Sequence, residues 1–287
     1  MHFVDAKGIL SAQNGMNIYR GCTHGCIYCD SRSLCYHIDH PFEDIEVKQN
    51  APELLEKALR SKRKKCVIGT GSMSDPYMPA EKELLLMRRC LEVIKKYDFG
   101  AALITKSDLV LRDIDLLRAI NEEQKAVVQM TLTTFNDDLC RLIEPNVCPA
   151  SRRYEVLKAM QENNIPTYVW LTPLLPYIND TPENLMGLLE MCADAGVKGI
   201  ICFNMGLTLR EGNREYFYKA LDRLFPGLKE RYQREYGLSY VLNSPRSAQL
   251  MDQFVCFCEK HGILHDPEQC FTQMRTLPEK YKQLSLF

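Results

Sequence analysis

No run of apolar residues in this chain approaches the length needed to cross a bilayer, so a membrane-spanning role is not expected. Charge of one sign is also missing. Thirty-six Lys and Arg face 37 Asp and Glu, for a formal net charge of −1. That excludes a global attraction to a polyanion, although a local basic patch stays open. The start, Met1-His-Phe-Val-Asp-Ala-Lys7, has no basic segment leading into an apolar one, and a secretory address is not expected. Finally, Cys26/Cys29 is the only pair at C-x2-C spacing. A zinc site built from two such pairs therefore lacks its second half.

Cysteine itself is plentiful. Thirteen cysteines in a chain without a secretory signal point to a reducing, cytoplasmic setting and to metal chemistry rather than disulfides. Three are concentrated in Arg20-Gly-Cys-Thr-His-Gly-Cys-Ile-Tyr-Cys-Asp30, as C-x3-C-x2-C with Tyr28 before the third. Cys22, Cys26 and Cys29 on one short loop can hold an iron–sulfur cluster by three corners. A full protein set is four thiolates, so one iron stays open to another ligand. Several other cysteines sit inside apolar runs, as in Cys66-Val-Ile and Ile-Cys202-Phe, where cysteine behaves as a small hydrophobe.

The length of 287 residues, 46% hydrophobic and 25% charged, suits one large domain or one domain with an extension. Strand-like runs recur at about 15–19, 66–70, 101–105, 127–133, 167–172 and 199–205. Helical patterns lie between several of them. Over Ala80–Tyr97, Leu84, Met87, Leu91 and Ile94 recur at steps of three and four. Asp113–Asn121, Ser151–Asn164 and Thr181–Ala195 read alike, and Thr181-Pro-Glu183 has the form of a helix start. Alternating strands and helices predict parallel pairing through right-handed crossovers, an α/β fold with six units. In barrels of such units the chemistry sits at the C-terminal strand ends.

Those ends carry polar residues. The second is followed by Gly69-Thr-Gly-Ser-Met-Ser-Asp-Pro-Tyr-Met-Pro79, in which Ser74 and Asp75 offer an acceptor and a charge to a ligand ammonium. A plain turn would use the same residues. The third is followed by Lys106, a compact point charge for a carboxylate. The fourth carries Thr131-Leu-Thr-Thr134, whose hydroxyls, Thr133 included, can meet a ribose or an amino-acid end.

The cysteine loop resembles that of the radical S-adenosylmethionine (SAM) enzymes. More closely, residues 14–210 resemble the spore photoproduct lyase-like, DNA repair photolyase-like, branch. The marks are Asn17-Ile-Tyr-Arg-Gly-Cys-x3-Cys-x-Tyr-Cys29, Asp75-Pro-Tyr77, Glu144-Pro145 and Pro173-Leu-Leu-Pro-Tyr-Ile-Asn-Asp180. The resemblance implies a partial (β/α)6 TIM barrel over 1–210. It implies a [4Fe–4S] cluster on Cys22, Cys26 and Cys29, and an open iron that binds the amino and carboxylate groups of SAM. Reductive cleavage to a 5′-deoxyadenosyl radical follows, fed by a reductant such as flavodoxin or ferredoxin. It places Tyr28, Ser74, Asp75, Lys106 and Thr133 at SAM. Repair or modification of DNA, with a lyase-like reaction, is the implied activity. A peptide or small-molecule substrate is the alternative, and a clamp-associated protein with a structural cluster is a third reading. One departure stands out. Two residues before the Ser-Asp pair, where the lyase looks to carry a hydrogen-donating cysteine, this chain has Ser72. Its O–H is a poor hydrogen donor to a carbon radical, which predicts against thymine-dimer reversal by that route. Cys35 is a candidate replacement donor or extra ligand.

Residues 211–287 read as a helical C-terminal extension, with patterns over Asn213–Tyr236 and Ser247–His261. Cys256, Cys258 and Cys270 are expected to be buried rather than to hold a second cluster. The end, Gln283-Leu-Ser-Leu-Phe287, resembles the peptide by which polymerases and repair proteins dock on the DNA sliding clamp. Leu284, Leu286 and Phe287 would be its apolar anchors and Gln283 its register. Arg60-Ser-Lys-Arg-Lys-Lys65 is a candidate phosphate-tracking cluster, or else a solvated helix end.

Overall fold

Short runs of Val, Ile, Ala and Thr that are buried on both faces become the central strands, as expected for a parallel sheet covered by helices. In a computed structural model describing residues 1–278, they are β1 (Gly15–Met16), β2 (Val67–Thr70), β3 (Gly100–Thr105), β4 (Ala126–Thr131), β5 (Thr167–Trp170) and β6 (Gly199–Ile201). They pair in sequence order, all parallel. The crossovers are helices Ala51–Ser61, Leu86–Lys96, Ile114–Glu123, Ala150–Glu162 and Pro182–Asp194. This is the partial (β/α)6 barrel that the alternation predicts. Its core joins Leu103, Val128, Val169 and Ile200 of the strands to Leu55, Leu91, Leu117, Val156 and Leu188 of the helices, all fully buried. Thr181 caps its helix as anticipated, accepting from the Asn184 N–H at 3.2 Å.

The differences have local causes. The 15–19 strand splits. Gly15–Met16 joins the barrel, while Tyr19–Arg20 pairs antiparallel with Glu46–Lys48, which also pairs parallel with His2–Val4. β4, β5 and β6 stop at 131, 170 and 201 because the site loops begin there. The 80–97 helix breaks at Leu85, which is left-handed (φ 52°). The buried Glu81 carboxylate accepts the Leu86 and Met87 N–H groups and so caps a new helix start. The 213–236 pattern is two helices, Asn213–Leu224 and Leu228–Tyr236, separated at Pro226, which cannot continue a helix.

The stretch beyond residue 210 does not stand apart from the barrel. Leu250, Phe254 and Cys258 of Ser247–His261 belong to the barrel core. Helix Pro267–Arg275 packs beside β6, and an antiparallel pair, Gly206–Thr208 with Val241–Asn243, adds a small sheet. Cys258 and Cys270 are fully buried and Cys256 is exposed. The clamp-like residues Gln283, Leu284, Leu286 and Phe287 lie outside the described residues. No helix among the described residues is long and apolar enough to cross a membrane.

Candidate active site

The loop after β1 and the ends of β2, β3 and β4 meet in one cleft. Its walls include Cys22, Cys26, Cys29, Tyr28, Ser74, Asp75, Lys106, His24, Ser72 and Thr131. The sequence thus placed all three cysteines and four of the five ligand-binding candidates on one surface.

Each is held by identifiable bonds. Asp75 Oδ1 accepts from Thr105 Oγ1 at 2.7 Å and from the Tyr77 N–H at 2.8 Å; Oδ2 accepts from the Lys106 N–H at 2.7 Å. The carboxylate therefore stitches the β2 loop to the β3 end. A carboxylate has about four acceptor positions; the fourth lies on Oδ2, which His24 Nε2 approaches to 3.6 Å. The stitch needs Gly71, with φ +99°, because a Cβ there would collide with the Ile104 carbonyl. Ser74 donates to the Tyr19 carbonyl at 2.8 Å and keeps its lone pairs. The Lys106 ammonium lies 5.9 Å from the Tyr28 ring centroid. Burial would lower its pKa, but attraction to Cys26, Glu144 and Asp75 outweighs this and holds it raised.

The cysteine loop rests on groups that sequence reasoning assigned no such role. Tyr28 donates its hydroxyl to Glu144. Glu144 pairs with Arg153 at 2.6 Å, and both are buried (0% and 1% exposed). Arg153 also donates to the carbonyls of Thr131 and Cys148. The Ile27 N–H donates to Ile143 O at 3.0 Å, and Asn146 binds the carbonyls of Thr23 and His24. Glu144-Pro145, one of the marks of the resemblance, is the floor of the loop. Local sequence carries no sign of this, because Tyr28 and Glu144 are 116 residues apart.

The residues fit an iron–sulfur cluster. Among the described residues only His2, His40 and Glu46 bring three donor atoms within 4.8 Å of one another. Cys22, Cys26 and Cys29 all line the same cleft. A four-iron cluster asks for each thiolate on a different iron. Burial pushes the Cys22 thiol up to about 12 and raises Cys26 as well, so loading must displace protons. His24 is buried at the cleft with Nε2 3.6 Å from Asp75 Oδ2, and neither of its ring nitrogens makes a hydrogen bond.

Two candidates are not brought to the cleft. Thr133 does not line it; Thr131 does. The Thr133 carbonyl instead accepts from Asn179 and Asn184, because β4 ends two residues earlier. Cys35 sits exposed on a 3-10 turn, Leu34–Tyr36, with its sulfur 3.4 Å from an Arg210 nitrogen. It lines neither this cleft nor the hollow beside it. The basic run Arg60–Lys65 leads into β2. It therefore lies at the N-terminal strand ends, opposite the cleft.

The cleft opens into a hollow that shares Tyr28, Cys29, Ser31, Ser72 and Lys106. Trp170 and Phe203, from the ends of β5 and β6, form its aromatic side, with ring centroids 6.2 Å apart. Phe203 is 60% exposed. These residues follow the strand-end rule, which the sequence reading applied only as far as β4.

The barrel with three cysteines after its first strand defines a class, and the chain belongs to it: residues 16–189 match the Radical SAM superfamily. Members of this family use a [4Fe–4S] cluster and SAM, and the chain is a radical SAM enzyme. Among particular relatives, an uncharacterized protein of Mycobacterium tuberculosis is 30% identical over 257 residues, covering 88% of this chain and 75% of that protein. One from Methanocaldococcus jannaschii is 34% identical, covering 64% and 68%. The fold is that of spore photoproduct lyase. A variant with bound AdoMet and dinucleoside spore photoproduct aligns with a TM-score of 0.63 at 13% identity, covering 87% of this chain and 74% of that one. A second variant aligns at 0.65, also at 13%, covering 91% and 78%.

Proposed function

We propose that this radical SAM enzyme acts on DNA, in repair or modification, by presenting a nucleobase to the cleft. The observation that carries the reading is the aromatic wall of Trp170 and Phe203 beside the cysteine loop. A flat base stacks on such rings whatever its sequence, for about 1–3 kcal/mol. A base in duplex DNA reaches a pocket of this kind by flipping out of the stack.

When bound, the cluster and SAM supply the electron and the 5′-deoxyadenosyl radical. The chain's own residues do the rest. Cys22, Cys26 and Cys29 hold the cluster. Asp75 and Ser74 offer acceptors to the SAM ammonium, Lys106 offers a cation to its carboxylate, and the Tyr28 ring closes one side. Ser72 lines both the cleft and the hollow. Its hydroxyl does not replace a thiol as hydrogen donor, so the reaction differs from one that ends on a donor at this position. A cytoplasmic setting keeps the thiols reduced, a flavodoxin or ferredoxin is the fitting electron source, and the tail from Gln283 to Phe287 is the fitting tether to a sliding clamp.

The test is formation of 5′-deoxyadenosine by reduced, cluster-loaded protein with and without damaged DNA. Stimulation by DNA that is lost in Phe203→Ala supports the reading. Cleavage indifferent to DNA, but stimulated by a peptide or small molecule, moves the substrate to that class.

A further inference from the structure

Away from the cleft, on the edge sheet, three side chains converge that the radical chemistry does not use. One donor atom each from His2, His40 and Glu46 lies within 4.8 Å of the other two. Strand pairing creates part of this, since His2 and Glu46 are directly paired in parallel register and neighbouring residues on paired strands share a face. His40 is brought over them from the preceding loop. The two imidazoles meet edge to face, at 4.9 Å between centroids and 87° between planes.

The outer partners of both rings are already in place. His2 Nδ1 lies 3.1 Å from Asp44 Oδ2. His40 Nδ1 lies 3.0 Å from the Pro41 carbonyl oxygen. Both partners only accept, so each Nδ1 carries a proton, and in the neutral ring Nε2 is left with the lone pair that a metal needs. A carboxylate or carbonyl on the far nitrogen is the usual support of a metal-binding histidine. His40 Nε2 is moreover buried without a hydrogen-bond partner. The Glu46 carboxylate accepts no hydrogen bond and makes no close ion pair among the described residues, although it attracts the Lys48 ammonium. The nearby cations are turned elsewhere: Lys48 donates to the Asn17 carbonyl, and Arg20 to the carbonyls of Tyr36 and His37.

We propose that His2, His40 and Glu46 form a second metal site, separate from the cluster, that binds one zinc-class divalent cation through two imidazoles and a carboxylate. Two nitrogens and one oxygen suit zinc, with water as fourth ligand. The site would clamp strand His2–Val4 to the segment carrying His40 and Glu46. Between these two residues lies Phe42, whose carbonyl accepts the Cys22 N–H at 3.0 Å. The ion would thus stiffen the support of the first cluster cysteine.

The experiment uses cluster-loaded protein equilibrated with zinc chloride, then desalted. Zinc per chain is counted by elemental analysis, and its ligands are read by X-ray absorption at the zinc edge, where the iron cluster does not interfere. The expected result is one zinc per chain in a nitrogen and oxygen shell, reduced at least tenfold in occupancy in both His40→Gln and Glu46→Gln. Iron content and circular dichroism should stay at wild-type values, which shows that the variants fold. Absence of zinc from the wild type, a sulfur shell, or undiminished zinc in both variants would each overturn the proposal.

Discussion

The buried Glu144–Arg153 pair offers the sharpest test of how the cysteine loop is held. Glu144→Gln keeps the shape but removes the charge, leaving the Arg153 guanidinium buried at 1% exposure without its counter-ion. Breaking a buried pair from one side costs about 3–5 kcal/mol, because the remaining charge is uncompensated. The pair also carries the Tyr28 hydroxyl, so the loss should spread to the loop and lower the iron bound on reconstitution. Anaerobic urea unfolding followed by circular dichroism measures the stability, and Glu144→Gln/Arg153→Met completes a cycle. The double variant should lose less than the sum of the two single ones, since it buries no lone charge. The pH dependence has a definite sign. Burial alone would raise the Glu144 carboxyl, but Arg153 and Lys106 outweigh it and hold it below its ordinary value. Its contribution is therefore present above the ordinary carboxyl range and is lost as pH falls through the depressed native value. Glu144→Gln should remove that acid-dependent component. A loss under about 1 kcal/mol with additive single variants would refute the reasoning.

Other expectations follow from the same geometry. Asp75→Asn replaces an acceptor by a donor facing N–H and O–H groups, and should cost about 1–3 kcal/mol in thermal unfolding as well as weaken SAM binding by equilibrium dialysis. Phe203→Ala removes an exposed ring, so the melting temperature should hold while affinity for single-stranded DNA falls by about 1–3 kcal/mol in fluorescence anisotropy. Cys35→Ser should leave 5′-deoxyadenosine formation at the wild-type rate, because Cys35 faces Arg210 rather than the cleft; a large loss would return it to the site. Leu286→Ala/Phe287→Ala should abolish capture by a sliding clamp in a pull-down, and unchanged capture would end the tether reading.

What could be read from the chain alone follows physical range. Period and capping are local, so Thr181 and the 182–194 helix were legible, as were the strands whose residues are buried on both faces. The cysteine loop was legible because its chemistry lies within eight residues. Glu81 restarting a helix, Glu144 beneath Tyr28 and His40 over His2 were not, since each depends on partners brought together only by the barrel. Thr133 lies off the lining of the cleft for a smaller reason: the strand ends at Thr131, and Thr133 falls two residues beyond it.

The most direct measurement of the central claim is 5′-deoxyadenosine formed from SAM by the anaerobically reconstituted, dithionite-reduced protein, beside Cys26→Ala. Cleavage by the wild type that vanishes in the variant is the predicted result. A well-formed four-iron cluster that never cleaves SAM under reducing conditions would contradict it and leave the cluster a structural element.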